Sequence, residues 1–180
     1  AALTDTLAAR VLASEGAPAW DRLLQALPSV REQFRAARAT LPFMHAPRVA
    51  YRCREVAGDK WALLPSAAGV IDPLLSTGFP LTLLGIARLL DVLETTMPGA
   101  DRQAALATYA RMTQQELDVT EQLVAALYAC MADPALFKRL SLLYFAAASY
   151  SETVRRLARP HLAPGFRLNE HPQFGPEVRE

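Results

Sequence analysis

Apolar positions along this chain recur mostly at helical spacing. Trp20, Leu23, Leu24 and Leu27 share one face of a first helix over 17–27, which Pro28 interrupts. Ser29-Val30-Arg31-Glu32 then matches the pattern in which a hydroxyl and a carboxylate each satisfy a free amide. It predicts a second helix with Val30, Phe34 and Ala37 inward and Arg31, Glu32 and Arg35 in water. Pro42 and Pro47 bracket a connector. Over 48–54 the grammar changes to alternation of polar and apolar residues around Tyr51 and Cys53, which reads as a half-buried strand. Gly58-Asp59 supplies a turn, and 60–64 reads as the returning strand of a hairpin. A lone hairpin is marginal in water, so this one is expected to join a larger sheet.

Small and turn-forming residues fill 65–78. Phe79-Pro80 then opens a helix to about Glu94, and Met97-Pro98-Gly99 ends it. From Asp101 a long amphipathic helix carries Leu106, Ala110, Thr113, Leu117, Thr120, Val124, Leu127 and Met131 on one stripe. Asp133-Pro134 caps a last helix whose inner face is Phe137, Leu140, Tyr144, Ala147, Ala148 and Val154. Past Pro160, prolines and glycines predict a tail wrapped over a surface. The pattern therefore describes a mainly α protein with a small β-hairpin. It divides into a helical lead-in (1–46), a hairpin, loop and helix (47–96), and a C-terminal helical region with a tail (97–180).

Composition narrows the function. The length of 180 residues suits one domain or a large part of one, and 52% apolar residues against 21% charged exclude a disordered chain. Nineteen Lys and Arg against eighteen Asp and Glu leave a net charge of +1, without the basic surplus of a nucleic-acid binder. Eight glycines are few for a self-sufficient dinucleotide-binding domain. Cys53 and Cys130 stand far apart, which fits reduced thiols in a cytoplasmic protein rather than a disulfide framework or metal site. No signal peptide opens the chain, and Arg88 and Asp91 interrupt the longest apolar run, so no membrane span is expected.

Searches for catalytic motifs return little. His45, His161 and His171 are scattered without ligand spacing, and no GxSxG, Walker loop or GxGxxG is present. Glu94, Asp101 and Glu116 read as solvating charges on helix flanks, and Arg155-Arg156 as favoured by a helix C-terminus. No residue stands out as a general acid or base. Residues 69–78 are different, because Ser76, Thr77 and Gly78 immediately precede a helix. Free amides and partial positive charge at a helix N-terminus can hold an anion or an electron-rich ring edge. Gly69 and Gly78 would let backbone approach a ligand, and Asp72-Pro73 either stiffens the approach or caps the turn. The same three residues can equally be a plain helix cap.

Trp61-Ala62-Leu63-Leu64-Pro65, followed by Ala67-Ala68-Gly69-Val70-Ile71-Asp72-Pro73-Leu74-Leu75-Ser76-Thr77-Gly78, resembles the second flavin-binding stretch of the tryptophan-halogenase-like FAD-dependent oxidoreductases. Leu84-Gly85-Ile86-Ala87-Arg88-Leu89-Leu90 also looks like the helix that follows it in that family. The resemblance implies that Asp72, Pro73, Ser76, Thr77 and Gly78 lie along the flavin, with Thr77 and Gly78 matching a halide-binding pair. It implies FAD as cofactor, a nicotinamide as electron source, and oxygen-dependent chemistry on a small organic substrate. Where tryptophan halogenases carry a glutamate before Ser-Thr-Gly, this chain has Leu75. The family's lysine and Trp-x-Trp-x-Ile-Pro motif belong to a stretch that precedes the part matched here. The chain thus looks like the C-terminal portion of an α/β FAD-dependent oxidoreductase, with the phosphate-binding glycines in an N-terminal FAD-binding half. The rival expectation is a non-enzymatic helical module that binds a ligand or protein, with the helices after Asp101 as a homodimer face.

Overall fold

In the computed structural model, which describes residues 16–42, 49–168 and 171–172, the chain divides into two units, Ala1–Arg48 and Val49–Glu180. The first unit holds α1 (Ala17–Ala26) and α2 (Pro28–Gln33). Trp20 and Phe34 meet edge to face with ring centroids 5.2 Å apart. The expected capping pair does not form. Pro28, whose fixed φ suits a first helical position, starts α2 one residue before Ser29, and Leu27 stands at the cap without a side-chain bond. The helix is also short, so Phe34 and Ala37 are exposed rather than inward. Pro47 and His45 lie outside the described residues.

The second unit is mainly helical with small strands. Its order is β1 (Tyr51–Arg52), β2 (Ala57–Gly58), β3 (Trp61–Ala62), α3 (Pro65–Ala68), β4 (Gly69–Val70), α4 (Gly78–Thr95), α5 (Ala100–Ala129) and α6 (Pro134–Arg156). Single 3-10 turns occupy Leu74–Ser76 and Pro160–Leu162. The strand partners differ from the simple hairpin expected. Ala57 pairs with Ala62 and Gly58 with Trp61, whereas Tyr51 pairs with Val70 and Arg52 with Gly69. Val56, only 2% exposed, drops into the core between the two segments and separates them. Its carbonyl accepts the Leu63 amide at 2.8 Å, which holds the small β2–β3 hairpin.

The long helices follow the apolar pattern closely. On α5 the buried positions are Leu106, Tyr109, Thr113, Glu116, Leu117, Thr120, Val124 and Leu127, while Met131 beyond its end is exposed. That stripe packs inside the unit. Asp133 caps α6 as expected, its Oδ1 accepting the amides of Ala135 at 3.0 Å and Leu136 at 3.1 Å. Tyr144, Ala147, Ser151 and Val154 form the buried side of α6, with Phe137, Leu140 and Ala148 only half-buried.

α4 buries Leu81, Leu84, Gly85 and Val92. At Gly85 a methyl group would stand 2.3 Å from Cδ of Pro65, so the helix needs glycine where α3 begins. Arg88 and Asp91 do not interrupt the helical stretch Leu74–Thr95, whose 22 residues and hydropathy of 1.3 meet the length and composition of a membrane span. The tail also differs from expectation. Ala163 and 165–168 are buried instead of lying over a surface, because Phe166 joins the main core and Leu168 packs with Ala147, Val154 and Ala163.

Candidate functional site

Five of the expected site residues, Asp72, Pro73, Ser76, Thr77 and Gly78, lie in one turn. Asp72 Oδ1 accepts the Leu74 amide at 2.8 Å, an Asx-type bond that starts the 3-10 turn. Leu75 and Ser76 then both take left-handed backbone, with φ of 61° and 52°. Such conformations cost side-chain-bearing residues energy and persist only where the surroundings impose them. Tyr144 supplies part of that constraint by donating its hydroxyl to the Leu75 carbonyl at 3.2 Å. Tyr128 donates to Asp72 Oδ2 at 3.1 Å and fixes the carboxylate from the other side. Loss of water around the ring, with the neighbouring Asp72 carboxylate, raises the Tyr128 phenol above its ordinary value.

The reversal delivers Thr77, only 2% exposed, to the start of α4 with its side chain inside. Gly78 faces outward, with no heavy atom within 4 Å of where a Cβ would stand. Pro73 is exposed beside it. Gly69 is placed apart from this group. It is buried in β4, where a Cβ would come within 2.9 Å of Arg52 Cδ and 3.3 Å of Leu117 Cδ1, so protein packing accounts for it. Of these two glycines, Gly78 is the open one, on the first turn of an 18-residue helix.

A second cluster escaped the sequence reading. Glu116, read as a solvating charge, is 5% exposed. Its Oε1 receives Arg88 at 3.0 Å and the Phe166 amide at 2.8 Å. Arg88 also donates to the Pro164 carbonyl at 2.7 Å, and Arg155 to the Ala163 carbonyl at 2.8 Å. Burial pulls the Arg167 guanidinium down to about 10, against the opposing pull of Glu116 and Tyr144. A small cavity of about 70 Å³ opens beside Arg88, Arg111, Gln115 and Glu116. The signal was present in the pattern: Glu116 falls three residues after Thr113 and four before Thr120, on the buried stripe itself. Glu94 and Asp101 are exposed, as expected. A larger cavity of about 640 Å³ lies where the β2–β3 turn meets the end of α4, lined by Trp61, Leu89, Leu93, Pro98, Arg102 and Leu106 among others. Among the described residues, no group of three or more His, Cys, Asp and Glu is arranged to hold a metal ion.

No family profile matches the sequence. A stretch of 51 residues is 37% identical to tetracycline 7-halogenase of Kitasatospora aureofaciens, covering 28% of this chain and 9% of that protein. The crystal structure of halogenase PltM superposes with a TM-score of 0.64 at 24% identity, over 88% of this chain and 31% of PltM. PltM in complex with phloroglucinol and FAD gives a TM-score of 0.62 at 25% identity over the same 88%. In sequence and in fold the chain is similar to the halogenases. It spans about a third of the solved halogenases it matches, 31% in the first case. FAD is the cofactor those structures carry. The resemblance drawn from residues 51–90 and this likeness in fold converge on halogenase-like FAD-dependent oxidoreductases.

Proposed function

We propose that this chain is the flavin-edge and helical portion of a halogenase-like, FAD-dependent oxidoreductase or monooxygenase acting on a small organic substrate. In this reading an FAD-binding half of the same cytoplasmic protein precedes it and holds the pyrophosphate and adenosine. The observation that carries the reading is the turn at Ser76–Thr77–Gly78, whose open glycine sits on a helix N-terminus. A flat ring edge bearing partial negative charge fits such a turn, since the free amides and the helix dipole both favour it.

When bound, FAD supplies the redox chemistry, taking electrons from a nicotinamide and passing them to oxygen. The chain's own residues hold and shield that site. Gly78 would present its backbone to the ring edge, with Thr77 packed behind it. Asp72, braced by Tyr128 and the Leu74 amide, and Tyr144, bonded to the Leu75 carbonyl, keep the turn in its unusual conformation. Leu75 stands where the tryptophan halogenases carry a glutamate and has no proton to give or take. A proton-handling group for the substrate must therefore come from another position.

The complete protein decides the matter. Purified from the gene that encodes this chain, it is expected to be yellow, to show the visible flavin bands, and to carry GxGxxG after a strand upstream. A colourless protein with no FAD uptake overturns the reading and favours the helical binding module, for which the Asp72 bond to Leu74 is simply a cap. Product analysis with and without halide separates halogenation from hydroxylation.

A further inference from the structure

The interior around Glu116 carries more positive charge than it balances. Arg88 bonds that carboxylate at 3.0 Å, and Arg155 and Arg167 lie within its electrostatic reach. Among the described residues, three guanidiniums against one carboxylate leave an excess of two positive charges. Glu152 also attracts Arg155, but it is exposed and bonds Arg156 at 2.7 Å. Arg167 is 3% exposed, and its Nε and Nη2 are buried without a hydrogen-bond partner. Burial makes each unpaired charge and donor costly, so this cluster lacks acceptors. Arg155 feels the same crowding: burial, and after it the like charge of Arg88, hold its guanidinium below the ordinary value.

We infer that the cavity of about 70 Å³ beside these groups is an anion site, taking one halide-sized ion or small oxyanion. The site is independent of the flavoprotein reading. Gly78 and Arg88 stand ten residues apart on α4, roughly 15 Å at the helical rise, so this is not the turn assigned to the flavin edge. Donors dominate its lining. Arg111 donates Nη1 to Gln115 Oε1 at 3.2 Å, which occupies that oxygen and leaves the Gln115 NH2 as a donor. Arg88 uses Nη2 for Glu116 and the Pro164 carbonyl, and its other N–H groups remain for a ligand. Glu116 is the one acid in the lining, and its Oε1 is already matched by Arg88 and the Phe166 amide. Its Oε2 has no donor. The cavity holds about two water-sized species at ~30 Å³ each, so an anion fits together with one water that serves this oxygen. Water alone would satisfy donors and leave the charge excess standing, whereas an anion answers both. Arg167 does not line the cavity and contributes charge rather than a bond, which a low dielectric transmits more strongly than water does.

The test uses the complete protein with sodium bromide as probe, because anomalous scattering locates bromide directly. Crystals grown in bromide are expected to show an anomalous peak between Arg88 and Arg111. In solution, bromide replaces gluconate, which is too large for the cavity, at constant ionic strength. The melting temperature should rise saturably by about 2–4 °C. Arg111→Gln should lose most of that rise, and because Arg111 is exposed the variant is expected to fold. Lys138→Gln, which removes an exposed charge at the far end of α6 from Arg155, should keep it. Formate added to the bromide crystals separates the ligand types. A peak that fades marks a site open to small oxyanions, and one that persists marks a halide site. Water alone in the cavity, a carboxylate of the complete protein lying against Arg111, or an equal shift in Arg111→Gln and the parent overturns the assignment. So does an adventitious ion only, bound in the crystal without a saturable shift in solution. None of these readouts requires bound flavin, so the functional reading stands or falls separately.

Discussion

Arg88 on α4 meets Glu116 on α5 at 3.0 Å, and the same carboxylate oxygen accepts the backbone amide of Phe166 at 2.8 Å. One buried anion thus joins two helices and the 163–168 stretch. Buried ion pairs add little over a good apolar contact, but removing one partner leaves a charge without solvent or counter-ion. Around Glu116 there are two such charges, because Arg167 is buried as well.

Glu116→Ala is therefore expected to destabilise the protein by about 3–5 kcal/mol, the range for breaking a buried pair. Denaturant unfolding of the variant against the parent checks this. Glu116→Gln, which retains an acceptor for the Phe166 amide, should lose less. Equal losses would show that the charge does not matter.

Two glycines on one helix should respond oppositely to the same change. Gly85→Ala forces a methyl group against the rigid Pro65 ring, 2.3 Å from Cδ, and should cost about 1–3 kcal/mol as overpacking. Gly78→Ala meets open space, so thermal stability should stay level. In the complete protein the added methyl group would stand in the volume assigned to the flavin edge. Flavin affinity or its rate of reduction should then fall while the melting temperature holds. Unchanged flavin behaviour would mark the turn as a cap alone.

Ser76 holds φ at 52° with an exposed side chain. Ser76→Gly removes the crowding between Cβ and carbonyl that disfavours this conformation, and should stabilise by about 1 kcal/mol. A lower melting temperature would mean that the surroundings exact no such cost. Leu75 is less suited to this test, because its side chain also packs against the core.

Tyr109 donates its hydroxyl to the Leu63 carbonyl at 2.7 Å, and burial raises its phenol above the ordinary value of 10.0. The folded state therefore keeps a proton that the unfolded state releases near pH 10. Stability from this group is complete below that pH and is lost as pH rises through the raised folded value. Absorbance of tyrosinate should show a late-titrating phenol that Tyr109→Phe removes. The variant's stability should also fall less steeply above pH 10. An unchanged alkaline limb would assign the loss to other groups, such as Tyr144, whose phenol is also raised by burial.

Helices were more legible than contacts between them. The period of Leu106, Thr113, Leu117 and Thr120 specifies α5 because burial of one face is a local pattern, and Asp133 announces α6 because a cap bonds its own next residues. Strand pairing was not legible in the same way. Alternation around Tyr51 tells that the segment is extended, but the partner at Val70 is chosen by Val56 dropping into the core between the two ladders. Glu116 was misread because a single acid has no signature of burial until Arg88 and the 163–168 stretch are brought to it through the chain. For the turn, the residues Asp72 to Gly78 were visible as a group. The left-handed pair at Leu75 and Ser76 was not, since neither residue type favours that conformation. The assignment of Gly69 to the same group reflected its place in the motif, whereas its packing belongs to β4.

The burial of Phe166 and Leu168 has a consequence for how the protein is made. Synthesis runs from the N-terminus, and the partners of these residues on α5 and α6 emerge well before them. Until residues 163–168 leave the ribosome, Glu116 lacks the Phe166 amide. The second unit therefore closes its core only after that stretch has emerged.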